Sequence, residues 1–328
     1  MKALRLCAAQ TFEWIDVPEP SAPAEDEALV AVRAIGICGT DVSGYLGKMP
    51  FIEFPRVLGH ELGVEVLAIG AGVTQVGVGD RCSVEPYLNC GFCHACKQGR
   101  TNCCMTLEVL GVHRDGGMCE RLLIPANKLH RSASLSFDQL ALVETLAIGC
   151  HAVERSAVTD HEDVLIIGAG PIGLSVLEFA RLATRRVAVM ETNEDRRDFV
   201  KAHYPGVILL HHTPPECFAQ VVFDATGNAT SMSQTLSYAK FTGRIVFVGI
   251  TKEPFALDDP LLHRRELTLL ASRNALAADF PRIIGLIESG QIDTRPWISH
   301  RAEFDHLPET FPEWVRPGSG VIKAVVTV

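Results

Sequence analysis

The sequence lacks a long apolar run. Its longest runs, such as Val164–Ile167 and Val187–Met190, are far shorter than the ~20 apolar residues that a helix needs to cross a bilayer. The first ten residues carry two positive charges and only a broken apolar stretch, which makes a poor secretory signal. We therefore expect no membrane span and a cytoplasmic protein.

The chain also lacks an excess of basic residues. It has 30 Lys and Arg against 39 Asp and Glu, for a net charge of -9. Proteins that bind nucleic acid without regard to its sequence present a basic face to the phosphates. We therefore expect a small-molecule partner and no nucleic acid.

The sequence also lacks the even number of cysteines that a fully paired disulfide framework needs. The count of 11 is odd, so the cysteines do not fit a fully paired disulfide framework, and the poor secretory signal argues against an oxidising compartment. Reduced thiols and thiolate metal sites are the better expectation.

The pattern of apolar residues changes along the chain. Alternating runs at 28–36, 63–69 and 121–124, separated by Pro and Gly turns, predict a β-rich barrel or sandwich in the first ~125 residues. Six short apolar runs then alternate with helical or loop stretches, which predicts a six-stranded parallel sheet with helices on both faces. These runs are 164–167, 187–190, 207–210, 221–224, 245–248 and 267–270.

The length of 328 residues suggests two domains in an α/β protein. We expect a β-rich domain over 1–150 and a dinucleotide-binding domain over 151–275, with 276–328 returning to the first domain. Asp279–Ser289 predicts an amphipathic helix that ends at Gly290.

Four cysteines form the strongest metal-binding pattern. Cys90, Cys93, Cys96 and Cys104 can place four thiolates tetrahedrally around zinc, a closed set that is typical of a structural site. An iron–sulfur cluster or unmetallated thiols are the alternatives. Cys103 competes with Cys104 for the fourth position.

A second group of potential ligands is spread along the chain. Cys38, His60, Glu61 and Glu144 offer a thiolate, an imidazole and carboxylates, and three such ligands leave a zinc position open for substrate, as catalytic zinc requires. Each of these residues alone is weak evidence, because a lone Cys is more often a small buried apolar residue.

A glycine pattern predicts a dinucleotide site. Gly168, Gly170 and Gly173 follow a predicted strand and open a helix near Pro171 and Ile172, the arrangement that turns backbone N–H groups toward a pyrophosphate. Glu191 ends the next strand, where a carboxylate accepts ribose hydroxyls and repels a 2'-phosphate, so NAD is favoured over NADP. Arg196 weakens this preference slightly, and the alternative is that Glu191 only caps a helix.

Other residues follow later strands of the same sheet. Thr226, Val248 and Gly249 lie where the nicotinamide half should bind. Arg273, after the sixth strand, contacts the cofactor or forms an ordinary ion pair.

The order and spacing of these motifs resemble those of the zinc-dependent medium-chain dehydrogenase/reductase (alcohol dehydrogenase) family, nearest its polyol and sugar-acid branch. The resemblance covers nearly the whole chain and rests on Gly36–Asp41, Gly59–Glu61, the four-cysteine loop, Glu144, Ala147–Ala152 and Gly168–Gly173. It implies a GroES-like domain beside a Rossmann domain, NAD, one catalytic and one structural zinc, and a homodimer or homotetramer.

The resemblance also implies an activity. The first expectation is oxidation of a secondary hydroxyl of a sugar acid, a hexonate such as L-gulonate or L-galactonate. A neutral polyol or amino-alcohol dehydrogenase is the second, and a non-catalytic, zinc-containing, NAD-binding redox sensor is a third hypothesis from another class. In this branch Cys38, His60 and either Glu61 or Glu144 surround the catalytic zinc.

Thr40 is expected to take part in catalysis, by bonding the reacting oxygen and passing its proton on. Three departures from the family pattern are Val64, Thr145 and Ser43, the last of which stands where many relatives have the His that ends the proton relay. We expect Tyr45, Phe51 and His113 or Arg114, together with Thr40 and Glu144, to line the substrate cleft.

Overall fold

The computed structural model describes residues 1–328, which form two compact units. The first unit comprises Met1–Thr145 and Leu276–Val328, and the second is Leu146–Ala275. The first boundary falls inside a helix, Phe137–Ser156, where no change of composition marks it in the sequence. No helix of the structure is both long and apolar enough to cross a membrane.

The amino-terminal part of the first unit is mostly strands. They are β1 (Lys2–Ala8), β2 (Thr11–Asp16), β3 (Glu27–Ile37), β4 (Arg56–Val57), β5 (Glu61–Ile69), β6 (Arg81–Val84), β7 (Tyr87–Leu88), β8 (Glu108–Val109), β9 (Arg121–Pro125) and β10 (Leu129–Ser132). The helices are α1 (Gly39–Tyr45), α2 (His94–Lys97) and α3 (Phe137–Ser156), with 3-10 turns at Thr101–Cys103 and Ala126–Lys128.

The second unit is a parallel sheet with helices. Its strands are β11 (Val164–Ile167), β12 (Val187–Met190), β13 (Ile208–Leu210), β14 (Ala219–Asp224), β15 (Ala239–Phe247) and β16 (Thr268–Ala271), and its helices are α4 (Pro171–Ala183), α5 (Glu194–His203), α6 (Ala229–Tyr238) and α7 (Asp259–Arg264). The spatial order β13-β12-β11-β14-β15-β16, with every pair parallel, is the Rossmann order. The six predicted strands and the α/β fold class are confirmed.

One strand of this sheet begins earlier than the pattern predicted. We expected it to start at Ile245, and it starts at Ala239. The added residues include Thr242 with a positive φ of 61° and Gly243, and the register shifts between Ala219 and Val221 on the partner strand. This irregular segment has no alternating apolar pattern, so the sequence did not mark it as strand.

The carboxyl-terminal segment completes the first unit. It contains α8 (Asp279–Glu288), β17 (Ile298–Glu303), α9 (Leu307–Trp314) and β18 (Lys323–Thr327), with 3-10 turns at Arg295–Trp297 and Phe304–His306. The predicted amphipathic helix is confirmed, since α8 buries Phe280, Ile283, Ile284 and Ile287. Gly290 follows it with a φ of 73°, the left-handed conformation of a helix stop.

Three sheets shape the first unit. The largest has the order β10-β6-β5-β3-β18-β17, with β9 also paired to β3, and it is antiparallel except between β17 and β18. The others are β2-β1-β4 and β7-β8. The pairing of β3 with both β5 and β18 brings residues from distant parts of the sequence to one end of the sheet.

Candidate active site and metal centres

Three predicted ligands meet at the end of β3 and the start of β5. Cys38 follows β3 and precedes α1, and β3 pairs with β5 so that Gly36 lies opposite Glu61, beside His60. The thiol of Cys38, the imidazole of His60 and the carboxylate of Glu61 lie within 4.8 Å of one another. We refer to these three residues as the catalytic cluster.

Asp41 stabilises the two loops that carry this cluster through hydrogen bonds. Its fully buried carboxylate accepts hydrogen bonds from the backbone N–H of Cys38 at 2.9 Å and of Gly59 at 3.3 Å, and lies 3.6 Å from Nδ1 of His60. Burial lowers the pKa of His60, but the negative charges of Asp41 and Cys38 outweigh it and raise the pKa well above its usual value. The surroundings of His60 therefore favour a positive charge.

Lys323 is a site residue that the sequence reasoning missed. Its ammonium lies 2.5 Å from both carboxylate oxygens of Glu61 and donates to the carbonyl of Ile37, and its side chain is 1% exposed. The pairing of β18 with β3 brings it there. A lone charge in the apolar run 321–326 was the available signal, because a charge buried in a strand requires a partner.

Both carboxylate oxygens of Glu61 are buried beside the ammonium of Lys323. A Cβ at Gly36 would come within 2.2 Å of Oε2. The missing side chain at Gly36 is therefore what leaves space for the carboxylate. A buried carboxylate within 4.8 Å of a thiol and an imidazole fits a zinc ligand.

Glu144 lies outside this ligand group. It sits on α3 and is 4% exposed, and its Oε1 accepts a hydrogen bond from the hydroxyl of Tyr87, which is 2% exposed. Burial raises the pKa of Glu144, although the charge of nearby His60 opposes that rise. Glu144 thus lies close enough to His60 and Glu61 to interact with their charges, and Tyr87 is a second neighbour that the sequence reasoning missed.

The predicted proton relay begins on α1. Thr40 and Ser43 are half-buried on this helix. Tyr45, which we expected in the substrate cleft, instead belongs to the hydrophobic core: its ring stacks on Phe12 and packs on Phe311. The expectation for Tyr45 is therefore corrected, because an apolar core position leaves it no access to substrate.

Other predicted cleft residues lie on the surface of the first unit. Phe51 is exposed, and His113 and Arg114 line a depression of about 450 Å³ with Arg56, Asp115 and several apolar residues of β9. Arg114 also lies 3.5 Å from Glu108. Their proposed contact with substrate stays a prediction.

The four cysteines of the loop form the second cluster. The sulfur atoms of Cys90, Cys93, Cys96 and Cys104 lie within 4.8 Å of one another, whereas Cys103 is exposed outside the group. The backbone N–H of Cys90 donates to Sγ of Cys104, and that of Cys93 donates to Sγ of Cys90. Four sulfur donors at this spacing fit a closed tetrahedral zinc site.

Local hydrogen bonds favour the thiolate form of two of these cysteines, Cys104 and Cys93, whereas burial raises the pKa of Cys96 to about 11. Burial raises the pKa of Cys104, but hydrogen bonds from the backbone of Cys90 and from Thr106 outweigh it and lower the pKa to about 6. Hydrogen bonds from the backbone of Met105 and Cys96 lower the pKa of Cys93. A low thiol pKa prepares these cysteines for a metal, since the thiolate is the ligand.

The glycine loop of the second unit has the expected form. Gly168 has a φ of 93°, Gly170 precedes the helix, and Pro171 and Ile172 begin α4. A Cβ at Gly173 would come within 1.9 Å of the carbonyl oxygen of Gly168, so only glycine permits this close turn. The loop lies before a helix amino terminus, where backbone N–H groups bind phosphate.

Glu191 is positioned by backbone donors. Its carboxylate accepts from the N–H of Ala169 at 2.7 Å and of Asn193 at 2.8 Å, and Nη1 of Arg196 lies 3.9 Å away. Asn193, whose side chain accepts from the N–H of Arg196, is the cap of α5. The helix cap is therefore Asn193 and not Glu191, and Glu191 lies beside the glycine loop.

The remaining cofactor residues lie near strand ends. The hydroxyl of Thr226 donates to Asp224 at 2.6 Å and accepts from the N–H of Asn228. Val248 and Gly249 follow β15, and a Cβ at Gly249 would come within 2.3 Å of the nitrogen of Gly227. The hydroxyl of Thr226 is therefore engaged by protein atoms, and its contact with a cofactor stays a prediction, as does that of the exposed Arg273.

Comparisons with known proteins identify the same class. Residues 24–134 match the model of the alcohol dehydrogenase GroES-like domain, and residues 215–289 match that of the zinc-binding dehydrogenases. The chain is 37% identical over 315 residues to L-galactonate-5-dehydrogenase of Escherichia coli K12, with 93% of each protein covered.

Two solved structures share the fold over nearly the whole chain. An alcohol dehydrogenase from E. coli CFT073, complexed with NADH, has a TM-score of 0.92 and 28% identity and covers 100% of this chain and 99% of its own. A zinc-binding dehydrogenase from Sinorhizobium meliloti 1021, bound to NADP, has a TM-score of 0.89 and 29% identity with the same coverage. The chain therefore belongs to the zinc-type medium-chain dehydrogenases, in their polyol and sugar-acid branch, and is an oxidoreductase that uses zinc and a nicotinamide cofactor.

Proposed function

We propose that this protein is a NAD-dependent dehydrogenase that oxidises a secondary hydroxyl of a hexonate such as L-galactonate or L-gulonate. The catalytic cluster carries this proposal. It combines a thiol, an imidazole and a buried carboxylate within 4.8 Å of one another. Such a set holds a zinc ion with a position left for substrate.

Two zinc ions per chain are part of the proposal. Cys38, His60 and Glu61 would hold the catalytic ion, and Cys90, Cys93, Cys96 and Cys104 would hold the structural ion. A catalytic zinc supplies Lewis acidity, which lowers the pKa of a substrate hydroxyl. Glu144, held by Tyr87, is assigned the role of a neighbouring carboxylate that accepts a hydrogen bond from substrate or water.

Thr40 is assigned the transfer of the substrate proton. Thr40 lies two residues after Cys38 in the first turn of α1, where its Oγ1 would accept the hydroxyl proton while passing its own to a ribose hydroxyl of the cofactor. Ser43 Oγ could also only relay a proton, because neither a threonine nor a serine hydroxyl is a base near neutral pH. A bound nicotinamide cofactor would supply the hydride acceptor.

NAD is the proposed cofactor because Glu191 lies where a 2'-phosphate would bind. Its carboxylate is 6% exposed and held by two backbone N–H groups, so it cannot easily turn away from the ribose. Arg196 lies 3.9 Å from it and already faces a negative charge. A 2'-phosphate would therefore meet a fixed carboxylate.

The hexonate is proposed from the relative that acts on L-galactonate, 37% identical over 93% of both chains. A neutral polyol or an amino alcohol is the competing substrate class. We also propose a homodimer or homotetramer in the cytoplasm, a reducing compartment that suits eleven free cysteines.

A substrate panel tests the function. L-galactonate, L-gulonate, a hexitol and L-threonine are each offered with NAD and with NADP, and the reduced cofactor is followed by absorbance. We expect the highest kcat/KM with a hexonate and NAD. Turnover of the hexitol or of threonine alone would replace the substrate class, and binding of NADH without turnover of any alcohol would indicate the redox sensor.

A further inference from the structure

Five residues connect the neighbourhoods of the two metal clusters. They run from Glu85 to Asn89, between the end of β6 and the first cysteine of the loop, and include β7. We call them the 85–89 segment. Five extended residues span at most about 17 Å, so a displacement at one end is transmitted over a short distance.

One end of the segment contacts the four-cysteine cluster. Nδ2 of Asn89 donates to Sγ of Cys96 at 3.8 Å, and Oδ1 accepts from Nζ of Lys128 at 2.9 Å. A lysine ammonium can only donate, so the amide oxygen must face Lys128 and the amide N–H must face the sulfur. Lys128 thereby fixes the orientation of a donor to one of the four thiolates.

Lys128 is itself held by the start of the segment. Its ammonium lies 2.5 Å from Oε1 of Glu85, and Nε2 of His130 lies 3.3 Å from Oε2 of the same carboxylate. Glu85 is 1% exposed and Lys128 is 6% exposed. Losing one partner of a buried ion pair of this kind strongly destabilises a protein. The pair therefore anchors the segment against β10 and the 3-10 turn before it.

The middle of the segment contacts Glu144, the neighbour of the catalytic cluster on α3. The hydroxyl of Tyr87 donates to Oε1 of Glu144, and both side chains are buried. Tyr87 also pairs with Val109 in the two-stranded sheet, and its ring lies 6.5 Å from that of Phe280. The position of Glu144 beside His60 is thus set partly by a residue that lies two positions before Asn89.

We propose that the 85–89 segment couples the two metal sites, with Asn89 and Tyr87 as positioning residues for the four-cysteine site and for Glu144, respectively. The coupling requires no contact between the two metals. Loss of the amide donor at Cys96 loosens the segment, and Tyr87 passes that change to Glu144. This inference rests on the proposed occupation of both sites.

Cobalt at the catalytic site provides the test. Holoenzyme with zinc at the four-cysteine site and Co²⁺ exchanged into the catalytic site is prepared as wild type, Asn89→Leu, Tyr87→Phe and the double variant, and metal analysis verifies one ion of each kind. The cobalt absorption bands report the catalytic site, and zinc release to a chelator reports the other. The four proteins form a double-mutant cycle.

In the protein that keeps Tyr87, we expect Asn89→Leu to release zinc about 10-fold faster and to shift the cobalt bands. In the Tyr87→Phe background the same change should speed zinc release but leave the cobalt bands where Tyr87→Phe alone put them. Cobalt bands that do not move in Asn89→Leu, or that move equally in both backgrounds, would overturn the coupling.

Controls keep the result specific. Lys97→Met removes an exposed positive charge from the same loop without touching the segment, and should leave the cobalt bands unchanged. If Asn89→Leu does not fold, Asn89→Asp takes its place, because it keeps the bond from Lys128 but cannot donate to Cys96. A chain that binds fewer than two metals contradicts the proposed function itself, whereas two bound metals without coupling contradict only this inference.

Discussion

The two metal clusters of the first unit hold their ligands by different means. The four cysteines lie within 15 residues, are partly accessible, and receive hydrogen bonds from the backbone of their own loop. The catalytic cluster is assembled from Cys38 at the start of α1 and from His60 and Glu61 at the start of β5, and its charged neighbours Glu144 and Lys323 come from two more places in the chain. A closed site can be a local structure, whereas the reactive site depends on the whole unit.

The charge environment differs in the same way. Around the four-cysteine cluster the local hydrogen bonds lower the pKa of Cys93 and Cys104, whereas burial raises that of Cys96 to about 11. Around the catalytic cluster the acidic neighbours raise the pKa of both His60 and Lys323 against the effect of burial. The second environment attracts positive charge, which suits a bound metal cation.

The largest expected effect comes from removing a ligand of the catalytic cluster. His60→Ala should lower kcat/KM by roughly 1000-fold, about 4 kcal/mol, because the Lewis acid is lost while the four-cysteine site stays intact. Metal analysis of the variant should give one zinc per chain. Cys103→Ser, which changes an exposed cysteine outside both clusters, is the control and should keep both zinc ions and full activity.

Next in size is the proton transfer at α1. Thr40→Val keeps the shape of the side chain but removes Oγ1, and should lower kcat by about 100-fold with little change in KM. Ser43→Ala should lower kcat by less than about 3-fold, since relay through solvent can replace it. Equal and large losses in the two variants would contradict the assignment of the proton acceptor to Thr40.

Substitution of Lys323 tests whether the catalytic cluster depends on a charge from a distant part of the sequence. Lys323→Met leaves Glu61 without its buried cation and should destabilise the zinc-free protein by about 3 kcal/mol, measured by urea unfolding. Lys323→Arg keeps the charge and should restore most of that loss. A Met variant as stable as the wild type would show that Lys323 does not balance Glu61.

The smallest expected effect concerns the cofactor. Glu191→Ala removes the carboxylate that we propose binds the ribose and should raise the ratio of kcat/KM for NADP to that for NAD by about 10-fold. Initial rates with each cofactor at fixed substrate measure this ratio. An unchanged ratio would mean that Glu191 only orders the loop through Ala169 and Asn193.

The predictability of the two units follows the same division between local and distant contacts. The four-cysteine loop, the glycine loop and the six strands of the Rossmann sheet each lie within a short stretch of sequence. Residue spacing and apolar periodicity were therefore sufficient to predict them. Lys323 and Tyr87 could not be assigned from spacing, because only the pairing of β18 with β3 and the packing of β7 near α3 bring them to the site. Tyr45 was wrongly assigned to the substrate cleft because it follows Cys38 closely in the sequence. In the structure it lies in the hydrophobic core.

Selective removal of metal tests the central claim most directly. The holoenzyme is dialysed against a mild chelator while zinc content and reduction of NAD by L-galactonate are measured on the same samples. The account predicts two zinc ions at the start, loss of one ion together with activity, retention of the other, and recovery of activity when zinc is returned. Full activity after loss of the first ion, or a chain that never holds more than one zinc, would contradict it.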